Sequence, residues 1–308
     1  MQNEAIHKKI TEIIIDRLKK GEIPWMMRYT KEEQDLGPAR SGVTGKEYTG
    51  INRLLASRPG RYYTYEAAKK AGGQVRKGEK STMVVFFHYE RVEVKETRLD
   101  VDGNVIEPDE NEPKKYFLKE LYRQYFVFNE KQIDWKEGSA PEPVEAAYDG
   151  DPVEDAEETI LDYRMREGLN IISGTSDPSY CVGTDTVSIP ERKRYASAPM
   201  YYLDLFHELV HSTGHPTRLN RQLPAVAARS AEASLEELTA EIGGAFLSGR
   251  FGLLDMSVID SSAANCQRWI KVISQEANII KRASAAAERA VNYLLTGENL
   301  SSVDILPG

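Results

Sequence analysis

FHELVHSTGH, residues 206–215, gathers three of the chain's five histidines into ten positions. Within it, His207-Glu208-Leu209-Val210-His211 forms an HExxH motif. On a helix, imidazoles at i and i+4 leave one face about a turn apart, which lets both reach a single Zn²⁺. Glu208, next to the first imidazole, falls where it can take a proton from an attacking water and later pass it to a leaving amine. The preceding YYLDLF, 201–206, supplies Tyr201, Tyr202, Leu205 and Phe206 to bury the helix, and Gly214 is placed to end it. Two neutral imidazoles with an interposed carboxylate on a buried face are hard to satisfy without a cation, which weighs against core or capping histidines.

Catalytic zinc keeps three protein ligands and an open position, so a third ligand is needed. The metzincin pattern HExxHxxGxxH fails at its last position, which holds Thr217. His215 follows the glycine that ends the helix and is expected as a substrate or transition-state contact rather than a ligand. Downstream, SLEELTAEIGGAFL at 234–247 places Glu236, Glu237 and Glu241 on a helix whose apolar side includes Leu235, Leu238, Ile242, Ala245 and Phe246. Glu237-xxx-Glu241 has the spacing by which gluzincins offer a carboxylate ligand and, one turn on, an acid that orients a histidine. Glu237 is therefore expected on the metal and Glu241 in support. Exchange of those two roles is one alternative, and a single solvated acidic face is another. Glu236 is expected to face water.

Outward from the motif, TVSIP at 186–190 is a short strand, expected to pair with an extended substrate. Helices are expected at about 198–213, 230–249 and 262–295, the last broken near Ala283. The 136–158 stretch, rich in Pro, Gly, Ala and acid, reads as a linker. Ahead of it, Ile6, Ile10, Ile13, Ile14 and Leu18 recur at helical spacing before Gly21, and Asn52 lies in a short helix. Thr64 caps another helix, which Gly72-Gly73 ends. Residues 83–89 and 125–128 are strands, and 98–114 form a polar hairpin turning at Asp102-Gly103. The fold class is α+β: a small α+β domain over 1–134, an acidic linker over 135–159, and a mostly helical domain over 160–308.

The chain's 308 residues carry a net charge of -8, unevenly spread. Residues 1–80 hold 17 Lys/Arg against 10 Asp/Glu, while 135–168 hold 3 against 11. A basic N-terminal part suits a polyanion that the acidic connector would repel. No apolar run approaches the ~18 residues of a membrane span, and the charged N-terminus lacks a signal-peptide core. Cys181 and Cys266 are too few for a disulfide framework, so a cytoplasmic setting and no membrane partner are expected.

IPW at 23–25, TGKEYTGINRLL at 44–55, TYEAAKKAGGQVRKGEKSTMVVF at 64–86 and YFVFNEKQ at 125–132 resemble the ArdC-type antirestriction proteins of plasmids and other mobile elements. FHELVHSTGH, LEELTAEIGGAFL and WIKVISQEANIIKRASAAAERAVNYLL, the last at 269–295, continue the resemblance through the second half. It implies an N-terminal single-stranded DNA-binding domain, a zincin-like metallopeptidase domain, and protection of incoming DNA from host restriction. The residues agree with the first part: single strands are held by cations and by aromatic faces on which bases stack. Trp25, Arg28, Tyr29, Arg40, Lys46, Tyr48, Asn52, Arg53, Tyr62, Tyr63, Gln74, Arg76, Lys77 and Lys80 supply that combination, with RKGEK at 76–80 as a turn presenting cations to phosphates. Peptide-bond hydrolysis with Glu208 as general base is expected, on Zn²⁺ or another divalent ion such as Mn²⁺. A protein substrate or a restriction enzyme would be the further partner. The alternative is a non-proteolytic DNA-binding shield whose metal site is structural or vestigial.

Overall fold

The computed structural model describes residues 2–26, 36–56, 58–93, 98–99, 105–106, 116–142, 151–221, 223, 230–254 and 262–299. The chain opens with helix α1 (Gln2–Lys19), whose Ile6, Ile10, Ile14 and Leu18 are buried along one face. Gly21, at φ +75°, adopts the left-handed conformation that lets the chain leave the helix. A four-stranded sheet follows in the order β1-β2-β7-β4, formed by β1 (Arg40–Ser41), β2 (Arg61–Tyr63), β4 (Thr82–Glu93) and β7 (Tyr116–Asn129). β4 and β7 are the long antiparallel pair, with Val84 opposite Tyr125 and Phe86 opposite Arg123.

Side chains alternate across this sheet. Met83, Val85 and Tyr122 join the core that α1 enters, whereas Val84 and Val127 are buried with Tyr48 and Tyr62 in a second cluster. Short helices α2 (Gly50–Leu55) and α3 (Tyr65–Lys70) flank the sheet. Thr64 Oγ1 accepts from Ala67 N at 3.2 Å, giving the expected cap. β3 (Gly73–Val75) pairs with β8 (Ile133–Trp135), and β5 (Arg98–Leu99) pairs with β6 (Val105–Ile106). The Asp102-Gly103 turn between the last two lies outside the described residues.

The acidic connector contains more structure than its composition indicates. Helix α4 (Pro152–Glu167) begins inside it, with Asp151 accepting from Val153 N and Glu154 N and with Pro at the start of the first turn. Acids there favour a helix N-terminus, and Ala156, Ile160 and Tyr163, at helical spacing, are buried. A three-stranded sheet in the order β10-β11-β9 follows, from β9 (Asn170–Ser173), β10 (Ser179–Cys181) and β11 (Thr186–Ile189). TVSIP therefore forms the central strand, with both backbone edges paired, and the strand expected to receive a substrate is not available for it.

Helices α5 (Ala198–Ser212), α6 (Ala231–Arg250), α7 (Ser262–Gln275) and α8 (Ile279–Thr296) complete the chain. The break in the last helical stretch falls between Gln275 and Ile279, and Ala283 is a buried residue inside α8. α5 packs on α6 where α6 carries Gly243-Gly244: a Cβ on Gly244 would lie 3.2 Å from His207 N. That absence of side chain brings the two helices together at the motif. α7 packs on α1 and α8 on α2, so one continuous core joins Ile10, Ile14 and Trp25 to Leu238, Phe246 and Trp269. The guanidinium of Arg53 lies 4.0 Å from the Phe246 ring centre across this junction.

Candidate metal centre

α5 projects His207 and His211 from one face with ring centroids 4.8 Å apart. Their Nε2 atoms are 3.2 Å apart. From α6, Glu237 places Oε2 3.8 Å from His207 Nε2 and Oε1 3.6 Å from His211 Nε2. The ligand atoms of these three residues all lie within 4.8 Å of one another, the one such group among the described residues. The expected ligand set is brought together. His211 Nδ1 faces Glu236 Oε1 at 3.0 Å, so the ring's proton belongs on Nδ1 and the Nε2 lone pair points at the other imidazole. Two imidazole nitrogens and a carboxylate converging on one point make a donor set that suits a divalent cation.

Glu236 overturns its expected solvent exposure: its side chain is only 8% exposed. Arg221 grips it with Nε to Oε2 at 2.9 Å and Nη2 to Oε1 at 2.8 Å. Arg221 also donates to the Thr213 hydroxyl and the Val210 carbonyl, each against the end of α5. Burial alone would push Glu236 up, but the Arg221 and His211 hydrogen bonds outweigh it and hold the carboxyl down at about 2. Burial pulls His211 down, and the Glu236 hydrogen bond and charge outweigh it, leaving a net upward shift. His207 has no such partner among the described residues; lost hydration, then the neighbouring His211, lowers it to about 3. It is thus poised as a neutral ligand.

Glu241 occupies the place expected of the orienting acid, yet its Oε2 is 3.9 Å from His207 Nδ1, beyond hydrogen-bond range. The carboxylate that orients a histidine is Glu236. Burial raises Glu241 to about 7. Glu208 is buried beside the donor set, and burial raises it to about 7, in the range where a carboxylate serves as a base near neutral pH. The backbone of Tyr180, in β10, reaches the Glu208 carboxylate. His215 stands outside the cluster, with Nδ1 2.8 Å from Thr217 Oγ1.

The residues expected to touch DNA separate into two sets. Trp25, 3% exposed, packs edge-on against Trp269, and Tyr48 and Tyr62 lie in the sheet's second core cluster. Tyr63 is buried edge-on to Trp135. Asn52 is buried and clamps Val85, donating to its carbonyl at 2.7 Å and accepting from its N–H at 2.8 Å. The rings are covered by the fold and so have no face free for stacking, and the Asn52 amide is taken up by Val85. Lys46, Gln74, Lys77 and Lys80 are exposed, as is Arg76, which pairs with Glu79 at 2.9 Å and Asp134 at 3.5 Å. Arg40 is half-buried near Glu47, and Arg53 is half-buried on Phe246. Arg28 and Tyr29 lie outside the described residues.

Residues 4–128 match the family described as the N-terminal domain of anti-restriction factor ArdC, and residues 158–286 match a zincin-like metallopeptidase family. The chain thus joins an ArdC-type N-terminal domain to a zincin-like metallopeptidase domain. The metal-free crystal structure of antirestriction protein ArdC from plasmid R388 is similar with a TM-score of 0.65 at 28% identity, covering 94% of this chain and 96% of that one. Its Mn(II)-bound structure gives a TM-score of 0.63 at 26% identity over the same shares of the two chains. Two Escherichia coli proteins named DNA primase TraC are 32% identical over 303 and 304 residues, 96% of this chain in each case. This chain spans only 20% and 27% of their lengths. Uncharacterized protein y4eC of Sinorhizobium fredii (strain NBRC 101917 / NGR234) is 26% identical over 298 residues, 94% of this chain and 91% of that protein. The ArdC-type chain's zincin-like domain implies a divalent metal, and the donor set of His207, His211 and Glu237 fits one. No helix among the described residues is long and apolar enough to cross a membrane.

Proposed function

We propose that this ArdC-type chain binds single-stranded DNA through residues 1–134 and carries a metal-dependent peptidase site in residues 160–308, and that together they protect mobile-element DNA from restriction. The observation that carries the peptidase reading is the convergence of two imidazole nitrogens and the Glu237 carboxylate, with a base-range carboxylate, Glu208, on the same helical turn. His207, His211 and Glu237 would hold the ion, zinc or manganese. When bound, a divalent ion at such a set supplies Lewis acidity and an open position for water. Glu208 takes a proton from the attacking water and delivers it to the leaving amine. β10, whose single partner among the described strands is β11, offers an edge beside Glu208 to which an extended peptide can add as a further strand. The names of the ArdC and primase relatives support a nucleic-acid setting for the N-terminal part.

Elemental analysis of the purified protein and of His207→Ala tests the site. A bound divalent ion in the first and its loss in the second are expected; full metal content in the variant overturns the assignment. Glu208→Gln separates hydrolysis from shielding. It should retain metal and DNA binding while losing protection, and retained protection would favour a non-proteolytic shield.

A further inference from the structure

We infer that the open face of the β4–β7 pair, built from Phe86, Arg123 and Tyr125, is the platform on which single-stranded DNA is held. The inference rests on the DNA-binding reading above and moves its aromatic contacts to residues that the pattern of basic and aromatic side chains did not single out. Val84 and Val127 lie on this face beneath Tyr48 and Tyr62. Farther along the strands, Tyr125 stands opposite Val84 and Arg123 opposite Phe86, so all three platform residues continue the same face past its aromatic cover.

What they leave open has the chemistry of a base-binding surface. Tyr125 is 41% exposed on a part of β7 that is paired on one side only, by β4, because β2 meets β7 at Phe128 and Asn129. Phe86, half-buried, meets it edge-on at 5.4 Å and Tyr48 at 6.3 Å, which fixes the Tyr125 ring by contact with the core rather than leaving it loose. Arg123 is exposed directly across from Phe86, and no carboxylate among the described residues pairs with it. Lys46, exposed, is two residues from Tyr48. A held aromatic ring next to a guanidinium without a carboxylate partner among the described residues matches a base followed by its phosphate. Stacking is sequence-tolerant because every base presents a π face. A duplex hides those faces, so the partner is a single strand. The opposite face has an exposed aromatic too, but Lys9 Nζ already lies 5.1 Å from the Phe126 ring centre, which makes Phe126 an internal control.

Titration of a fluorescein-labelled oligothymidylate into the full chain, at two salt concentrations, tests the platform. The unaltered chain should bind with a salt-dependent affinity. Tyr125→Ala should weaken binding about tenfold. Arg123→Ala should weaken it and lower the slope of log affinity against log salt by about 0.7. Phe126→Ala should bind as the unaltered chain does. Circular dichroism melts of each variant show that the fold is retained. Unchanged affinity in both Tyr125→Ala and Arg123→Ala, with the unaltered chain binding, overturns the platform and leaves the DNA-binding reading standing. Equal loss in Phe126→Ala, or equal loss of duplex binding in Tyr125→Ala, also overturns it. No binding by the unaltered chain sinks the DNA-binding reading itself.

Discussion

Glu236 Oε1 lies 3.0 Å from His211 Nδ1, and the same oxygen accepts from Arg221 Nη2 at 2.8 Å. One carboxylate thus fixes the tautomer and tilt of the His211 imidazole while the Arg221 guanidinium behind it keeps that carboxylate ionised. Such supports raise ligand basicity, and their loss commonly costs 10- to 100-fold in metal affinity. Glu236→Gln and Arg221→Ala are each expected to weaken divalent-metal binding by about that range, read by competition with a chromogenic chelator. Affinity within twofold of the unaltered chain in both variants would show that His211 is held by packing alone.

The approach of α6 to α5 depends on Gly244. In an ordinary helix interior, Gly to Ala stabilises by ~1 kcal/mol. Here the new Cβ would stand 3.2 Å from His207 N and 3.4 Å from Leu203 O, both backbone atoms that cannot swing aside. Gly244→Ala should therefore destabilise by about 1–3 kcal/mol through overpacking. It should also weaken metal binding, since α6 carries Glu237. Urea unfolding and metal titration check both, and an unchanged or raised midpoint would show that the helices can separate without cost.

That His207 and His211 share one face was legible in the sequence because their i and i+4 spacing is local, and the inward-leaning acids of the next amphipathic helix pointed to Glu237 beside them. Glu236 was not, because adjacent acids on a helix differ by about 100° in direction, and which one turns inward depends on Arg221, a residue from the segment between the two helices. Trp25, Tyr48 and Asn52 were misread for a related reason. Mixing of aromatic and basic residues shows which side chains are present but not which face the sheet and α1 cover. The buried Ala156, Ile160 and Tyr163 were readable at helical spacing within the acidic stretch, yet composition masked them.

Asn52 illustrates that misreading in energetic form. Its amide closes both backbone groups of Val85 in the interior, donating at 2.7 Å and accepting at 2.8 Å. Asn52→Ala leaves a buried N–H and a buried carbonyl without those bonds, a cost of about 2–4 kcal/mol. Chemical denaturation should show that loss, while oligonucleotide affinity of the folded fraction stays unchanged. A stable Asn52→Ala chain with weakened DNA affinity would return Asn52 to the binding surface.

Arg218 makes the fold sensitive to acid through two carboxylates outside the candidate donor set. Its guanidinium, 1% exposed, meets Asp185 Oδ2 at 2.6 Å, Oδ1 at 2.8 Å and Glu167 Oε2 at 3.2 Å. Burial works to raise Asp185, but the Arg218 and Tyr180 hydrogen bonds win and its carboxyl lies below the ordinary range. A carboxyl depressed in the folded state binds its proton more readily in the unfolded chain. Its contribution is therefore complete above about pH 4, the unfolded value, and is lost as pH falls through the folded one. Asp185→Asn removes that charge with little change in size, and Asn tolerates the left-handed backbone found here at φ +47°. The variant should be about 1–3 kcal/mol less stable at pH 7. The gap to the unaltered chain should shrink as pH falls below 4, because protonation then removes from the unaltered chain the charge that the variant already lacks. Urea melts at pH 7, 4 and 2.5 measure it, and a gap that stays constant across the three would mean that shape rather than charge at Asp185 stabilises the fold.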